Sequence, residues 1–213
     1  EQVPVAESSE FATRLERGKF CVSVELDPPR GIDPDRAVEG AHMLWKAGVD
    51  VVNIADGPRA MARMGPAALS HLVRLRTPAL ETVVHYCCRD RNLLGMQMDL
   101  IGSHATGLRN ILAVTGDPPK IGTYPDATAV FDIDSIGLIS FIQLMNRGLD
   151  FSGRQIGGQT ALFVGAACNP GAVDLDLEVS RFARKIEAGA EYFFSQPIFD
   201  IDLLFRFLEK TEN

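Results

Sequence analysis

Two carboxylates in this chain are presented in the same way. Asp117 follows the apolar run Arg109-Asn110-Ile111-Leu112-Ala113-Val114, within Thr115-Gly116-Asp117-Pro118-Pro119-Lys120. Glu25 closes Val22-Ser23-Val24-Glu25 and is followed by Leu26-Asp27-Pro28-Pro29. The glycine frees the backbone and the paired prolines stop a helix from starting at once, so each acid is expected on a stiff turn at a strand's carboxyl end. His85 ends a third apolar run, and Asn169 and Gln196 each precede a proline after two more. Two carboxylates, one imidazole and two amides gathered at one mouth would suit proton transfer and hydrogen bonding to a heteroaromatic ligand.

The elements that must position them follow a regular beat. Strand-like runs are expected at 20–25, 49–54, 81–86, 110–114, 160–166 and 191–195, each rich in β-branched or aromatic residues. Helical patterns follow at 34–47, 66–75, 91–106, 135–146, 174–188 and 200–209. Asp33-Pro34 reads as an N-cap and first-turn proline, Asp174 and Asp200 as later caps, and Gly48, Gly107, Gly148 and Gly189 as residues just past helix ends. The strand ends Glu25, Ala55, His85 and Thr115 stand thirty residues apart. A strand–helix alternation with that spacing predicts a parallel sheet. No Gly-x-Gly-x-x-Gly follows the first strand, which favours a closed (β/α)8 barrel over an open dinucleotide-binding sheet. Only six βα units are counted, whereas a full barrel takes about 250 residues. Two strands and their helices are therefore expected to be missing, with residues 1–18 as an N-terminal linker or helix and 19–213 as the barrel domain. An open six-stranded sheet is the alternative.

Each site residue also has an ordinary reading: a solvent-facing Glu25, a turn-forming Asp117, a core histidine at 85, a strand-edge amide at 196. Their common placement carries the argument. Other chemistries find less support. None of Lys19, Lys46, Lys120, Lys185 or Lys210 ends a strand, as a Schiff-base lysine would. Zinc on His85, Cys87 and Cys88 is disfavoured because adjacent cysteines point to opposite faces of a strand. On the helix at 174–188, Arg184 and Lys185 lie three and four residues after Arg181, with Glu178 one turn before it. They form either a solvated face or a clamp for phosphates, which arginine matches in two-point contact.

The bulk properties set outer bounds. The chain has 213 residues, 46% apolar and 23% charged, enough for one core. A net charge of −7 argues against a nucleic-acid face, and no apolar stretch approaches the ~20 residues of a membrane span. Four cysteines without a CxxC pair read as reduced thiols of a cytoplasmic protein.

At these residues the sequence resembles the methylenetetrahydrofolate reductase family. The blocks are Val22 to Arg30, His85-Tyr86-Cys87-Cys88-Arg89-Asp90-Arg91-Asn92, Thr115 to Pro119, and Lys185 to Ala190 leading into Ser195-Gln196-Pro197. The stretches Cys88 to Gly95 and Ile54-Ala55-Asp56 are most similar to the reductase half of bacterial proteins that fuse a homocysteine methyltransferase to this domain. The start at Glu1 agrees with a piece of such a fusion.

The resemblance implies a flavin-containing (β/α)8 barrel of one-carbon metabolism, forming a homo-oligomer. NADH or NADPH would reduce FAD, which would then reduce 5,10-methylenetetrahydrofolate to 5-methyltetrahydrofolate. Glu25 matches the family's general acid, whose pKa an apolar strand end would raise. Asp117 matches the aspartate near flavin and pterin, and Gln196 the amide that meets both folate and nicotinamide. His85, Thr115, Gly116, Phe131, Asp132, Asn169, Glu178, Arg181, Arg184 and Lys185 fall at FAD-contacting positions. Ala55, Thr115 and Asn169 stand where relatives carry threonine, arginine and tyrosine; Glu178 and Arg181 replace aspartate and asparagine. These departures bear on affinity and nicotinamide preference more than on reaction type. A non-catalytic barrel module serving subunit contact, or an incomplete fragment, is the alternative.

Overall fold

The computed structural model describes Pro4 and residues 8–212; the remaining part of the expected N-terminal linker, and Asn213, lie outside the described residues. Six parallel strands form one sheet in chain order: β1 (Ser23–Leu26), β2 (Val51–Ile54), β3 (Glu81–Cys87), β4 (Asn110–Val114), β5 (Phe163–Cys168) and β6 (Tyr192–Ser195). Helix α1 (Glu10–Glu16) precedes them, and α2 (Asp35–Lys46), α3 (Pro66–Arg76), α4 (Leu93–Ala105), α5 (Ser135–Met145), α6 (Leu175–Glu187) and α7 (Ile201–Thr211) follow the strands in turn.

Both faces of this sheet are covered, which is why its strands read as continuous apolar runs. Outward-facing Val84, Tyr86, Ile111, Ala113, Val164 and Ala166 join Leu138, Phe141 and Ile142 of α5 in the largest core cluster. The inner face carries Val51, Val83, Leu112, Phe163 and Tyr192, closed from below by Phe11 and Ala12 of α1. The two-residue period then places Glu25, Asn53, His85 and Val114 on the inner face as well. Among the described residues, β1 and β6 each bond to one neighbouring strand only. Residues from both nevertheless line one cavity, so the sheet is curled into a half-barrel rather than laid open.

Helix ends follow the local chemistry. Asp174 accepts a hydrogen bond from Leu177 N at 2.9 Å, and Asp200 one from Asp202 N at 3.0 Å. Gly48, Gly107, Gly148 and Gly189 all have positive φ, 81–103°. Asp33 is not the cap of α2; Pro34 holds that place, and Asp33 accepts from Asp35 N in a local turn. β1 and β5 both begin later than the apolar pattern suggests. Val22 N donates to the Asp50 carboxylate, and Leu162 N and Thr160 Oγ1 donate to Asn146, so side chains replace the ladder there.

Candidate active site

A cavity of about 720 Å³ opens at the carboxyl ends of the strands, walled by Glu25, Ala55, Asp56, His85, Gly116, Asp117, Ala167 and Gln196. All six strands or the turns after them contribute. Leu112, Val114 and Phe194 give it apolar walls, and Arg59 and Arg89 line it from the loops.

A hydrogen-bond chain fixes the imidazole. Ser23 Oγ accepts from Asn53 Nδ2 at 2.9 Å, which turns the Asn53 oxygen toward His85 Nε2, also at 2.9 Å. On this assignment Nε2 carries the proton. Burial pushes the His85 pKa down to about 4 against the opposing charge of Asp56, so the ring is neutral near pH 7. Glu25, on β1 opposite Asn53 of β2, has its pKa raised first by burial and then by Asp27. Burial also pushes the Cys87 and Cys88 thiols up to about 12, which removes them as nucleophiles.

Asp117 is held from its neighbours' side. Its Oδ2 accepts from Arg59 N at 2.8 Å, and its backbone carbonyl lies 3.4 Å from Arg89 Nη1. Arg89 is only 5% exposed; it grips Asp90 through Nε and Nη2 at 2.8 and 2.7 Å and reaches the Gly57 carbonyl at 3.3 Å. One guanidinium therefore ties together the loops after β2, β3 and β4. Asp56 has a structural task, accepting from Cys87 N at 2.9 Å and from Arg91 Nη1 at 2.8 Å.

The loop after β2 is strained. Gly57, Arg59 and Ala60 have φ of 54°, 56° and 55°, a region that costs a non-glycine residue about 1–2 kcal/mol. The loop after β4 holds it there: Thr123 N donates to Ala60 O at 3.1 Å, and a Cβ on Gly122 would lie 2.0 Å from that same oxygen. Gly116, φ 94°, sits 3.0 Å from the Cys87 Cβ by the same measure. Neither position has room for a side chain.

The structure thus brings Glu25, His85, Gly116, Asp117 and Gln196 to one mouth. The other expected residues lie elsewhere. Thr115 spends its hydroxyl on Ser135, accepting from Ser135 N at 3.1 Å. Asp132 accepts from Leu93 N at the start of α4, and Phe131 packs against the core. Asn169 N donates to Glu178 Oε1 at 2.9 Å, and Lys185, 6% exposed, donates to Ala167 O at 2.5 Å. Lys185 therefore faces the end of β5, while Arg181 and Arg184 stay exposed on α6. Sequence reasoning missed Asn53, Arg59 and Arg89. The signal for Arg89 was the alternation Arg89-Asp90-Arg91 beside Asp56; nothing marked Asn53. Among the described residues no cluster of His, Cys, Asp and Glu could hold a metal ion, and no helix is long and apolar enough to cross a membrane.

Known proteins agree with this architecture. A protein from Clostridium thermocellum, whose structure is described as binding two copies of 5-methyl-5,6,7,8-tetrahydrofolic acid, superposes with a TM-score of 0.66 at 14% identity, over 95% of this chain and 63% of that one. A 2,3-dimethylmalate lyase superposes with a TM-score of 0.63 at 14% identity, over 98% and 68%. Likeness at that identity speaks for the fold alone. By sequence, the 5,10-methylenetetrahydrofolate reductase of Pectobacterium carotovorum is 23% identical over 91% of this chain and 60% of its own length. Methylenetetrahydrofolate reductase 1 of Schizosaccharomyces pombe is 24% identical over 62% of this chain and 20% of its own length. The chain thus spans 60% or less of these curated relatives. The family model described as methylenetetrahydrofolate reductase matches residues 10–213. That match crosses every strand that lines the mouth, and the chain belongs to the methylenetetrahydrofolate reductase family.

Proposed function

We propose that the mouth is the active site of a flavin-dependent reductase that converts 5,10-methylenetetrahydrofolate to 5-methyltetrahydrofolate with NADH or NADPH. The observation that carries this is the convergence of Glu25, His85, Asp117 and Gln196 on one cavity of a family member.

The substrate's bridging methylene must open before it can accept hydride, and opening needs a proton at N10. Glu25 is the donor in this account. Its raised pKa keeps more of it protonated near neutral pH than an ordinary glutamate. Asp117, exposed and anchored to Arg59 N, offers a negative charge that favours the cationic iminium on N5. Gln196 supplies an amide that can donate to one ligand and accept from another, as a site used by two ligands in turn requires.

The residues present suit FAD. Leu112, Val114 and Phe194 offer apolar walls, Gly116 lines the cavity without a side chain, and His85 is neutral. Arg181 and Arg184 are exposed cations suited to a diphosphate, with Asn169, Glu178 and Lys185 stiffening the neighbouring turn. Thr115, Phe131 and Asp132 would act by shaping the loop through their bonds and packing. When bound, the flavin would carry hydride from the nicotinamide to the folate. A non-catalytic module is the weaker reading, because nothing in subunit contact calls for a strained, acid-lined mouth. Fusion to a homocysteine methyltransferase and a homo-oligomeric, cytoplasmic state belong to the same proposal.

The test is product formation. Protein supplied with FAD, NADPH or NADH and methylenetetrahydrofolate should yield 5-methyltetrahydrofolate by chromatography. Folate binding without turnover, in protein that has taken up FAD, would refute it.

A further inference from the structure

From the loop after β2 we infer that Arg59 is a specificity residue, forming with Arg30 and Arg63 a subsite for the anionic tail of whichever molecule occupies the mouth. The inference rests on the proposed folate and nicotinamide chemistry, and it concerns a part of the surface which that chemistry leaves unused.

A second cavity of about 690 Å³ adjoins the mouth, walled by Glu25, Asp27, Arg30, Pro58, Arg59, Met61, Arg63 and Ile121. Glu25, Pro58 and Arg59 line both cavities, so Arg59 stands at the junction between them. Its backbone is held on both sides: its N–H donates to Asp117, and the next residue's carbonyl accepts from Thr123. Two successive non-glycine residues of positive φ persist only where the surroundings over-determine them, and such strain collects at ligand clamps. Yet the guanidinium itself is exposed and has no hydrogen-bond or ion-pair partner among the described residues.

The neighbouring cations divide the work. Arg63 is fixed, with Nη2 3.1 Å from Asp27 Oδ2 and Nη1 2.7 Å from Pro28 O, while its buried Nε has no partner among the described residues. Asp27 is thereby matched by Arg63, and Arg30 is exposed. Three guanidiniums thus face two carboxylates across this cavity, and one of those carboxylates, Glu25, has its pKa raised. A ring held in the mouth would send its tail past Arg59 into a pocket of net positive charge. A glutamyl carboxylate and a nucleotide phosphate share the chemistry that two-point guanidinium contact recognises.

The test compares ligands with and without that tail by equilibrium binding to the whole chain. In one arm the probes are 5-methyltetrahydrofolate and 5-methyltetrahydropteroate, which lacks the glutamate. In the other they are NADPH and reduced nicotinamide riboside, which lacks phosphate. Arg59→Asn keeps a residue that tolerates positive φ, and Arg59→Lys keeps the charge. Arg59→Asn should weaken the tailed probe of at least one arm about tenfold and spare its tailless partner. Arg59→Lys should recover part of the loss, and added salt should shrink the difference. The arm that responds identifies the source of the anion. Equal losses for tailed and tailless probes, or no loss in either arm, would overturn the subsite. Failure of the wild type to bind either folate, with the nucleotide difference intact, would instead refute the folate reading and leave the subsite standing. Binding of none of the four probes would overturn both.

Discussion

At the amino ends of the strands the half-barrel is plugged, and at the carboxyl ends it is cut open. Phe11 meets Phe163 and Tyr192 edge-on at 5.9 and 5.4 Å between centroids, and Tyr192 Oη donates to Ile111 O at 2.8 Å. Asn110 donates to Glu81 and to Thr82 O, so the polar groups of that end are matched. The mouth instead holds an exposed acid, Glu25, with positive-φ backbone and a guanidinium, that of Arg59, without a partner among the described residues. Similar strands thus build stability at one end and keep reactive groups available at the other, the division expected of α/β barrels.

The largest expected effect falls at the plug. Phe11→Ala should lower unfolding free energy by about 3–5 kcal/mol in denaturant titration. Any surviving folded protein should still bind mouth ligands. Loss of binding at full stability would break the division.

His85 at the mouth and Glu191 at the amino end should titrate with opposite sign. His85, with pKa depressed from 6.5 to about 4, favours the folded state above pH 6.5 and loses that contribution as pH falls through 4. The loss amounts to about 3 kcal/mol. Glu191, at the amino end, is pushed by burial from 4.5 up to about 7, with Gln143 Nε2 and Val164 N donating to it. Its contribution is complete below pH 4.5 and is lost as pH rises through 7, by about 2 kcal/mol after allowing for its partial exposure. Stability measured from pH 4 to 8 should therefore rise less steeply on the acid side in His85→Gln, and fall less on the neutral side in Glu191→Gln. A same-signed change in both variants would count against this assignment.

Smaller effects sharpen the contrast. Tyr192→Phe leaves the buried Ile111 carbonyl short of its donor and should cost about 1 kcal/mol in thermal unfolding. Ala60→Gly should do the reverse, raising stability by about 0.5–1 kcal/mol, because relief of positive φ outweighs the added freedom of the unfolded chain. Its measurable cost should be weaker ligand binding. Destabilisation by Ala60→Gly would show that the loop is not strained.

Much of this division could be read from the sequence. The thirty-residue beat and the capping residues foretold the order of strands and helices, because parallel strands covered on both faces leave an unmistakable apolar signature. Glu25, His85, Asp117 and Gln196 were legible because each ends an apolar run or sits beside proline. Strand starts were misjudged where Asp50 and Asn146 take over ladder bonds across many residues, which no local pattern records. Arg59 and Asn53 were missed for the same reason: their roles arise from contact with the loop after β4, which carries Asp117 and Thr123, and with His85 on β3. The α6 cations look alike in sequence, yet only Lys185 reaches β5.

The central claim is that Glu25 delivers a proton to the folate and plays no part in reducing the flavin. Stopped-flow absorbance of Glu25→Gln, loaded with FAD, separates the two half-reactions most directly. Reduction by NADPH or NADH should proceed at the wild-type rate, and reoxidation by methylenetetrahydrofolate should slow by about 10²–10⁴-fold. Equal slowing of both half-reactions, or an unchanged second one, would contradict the assignment.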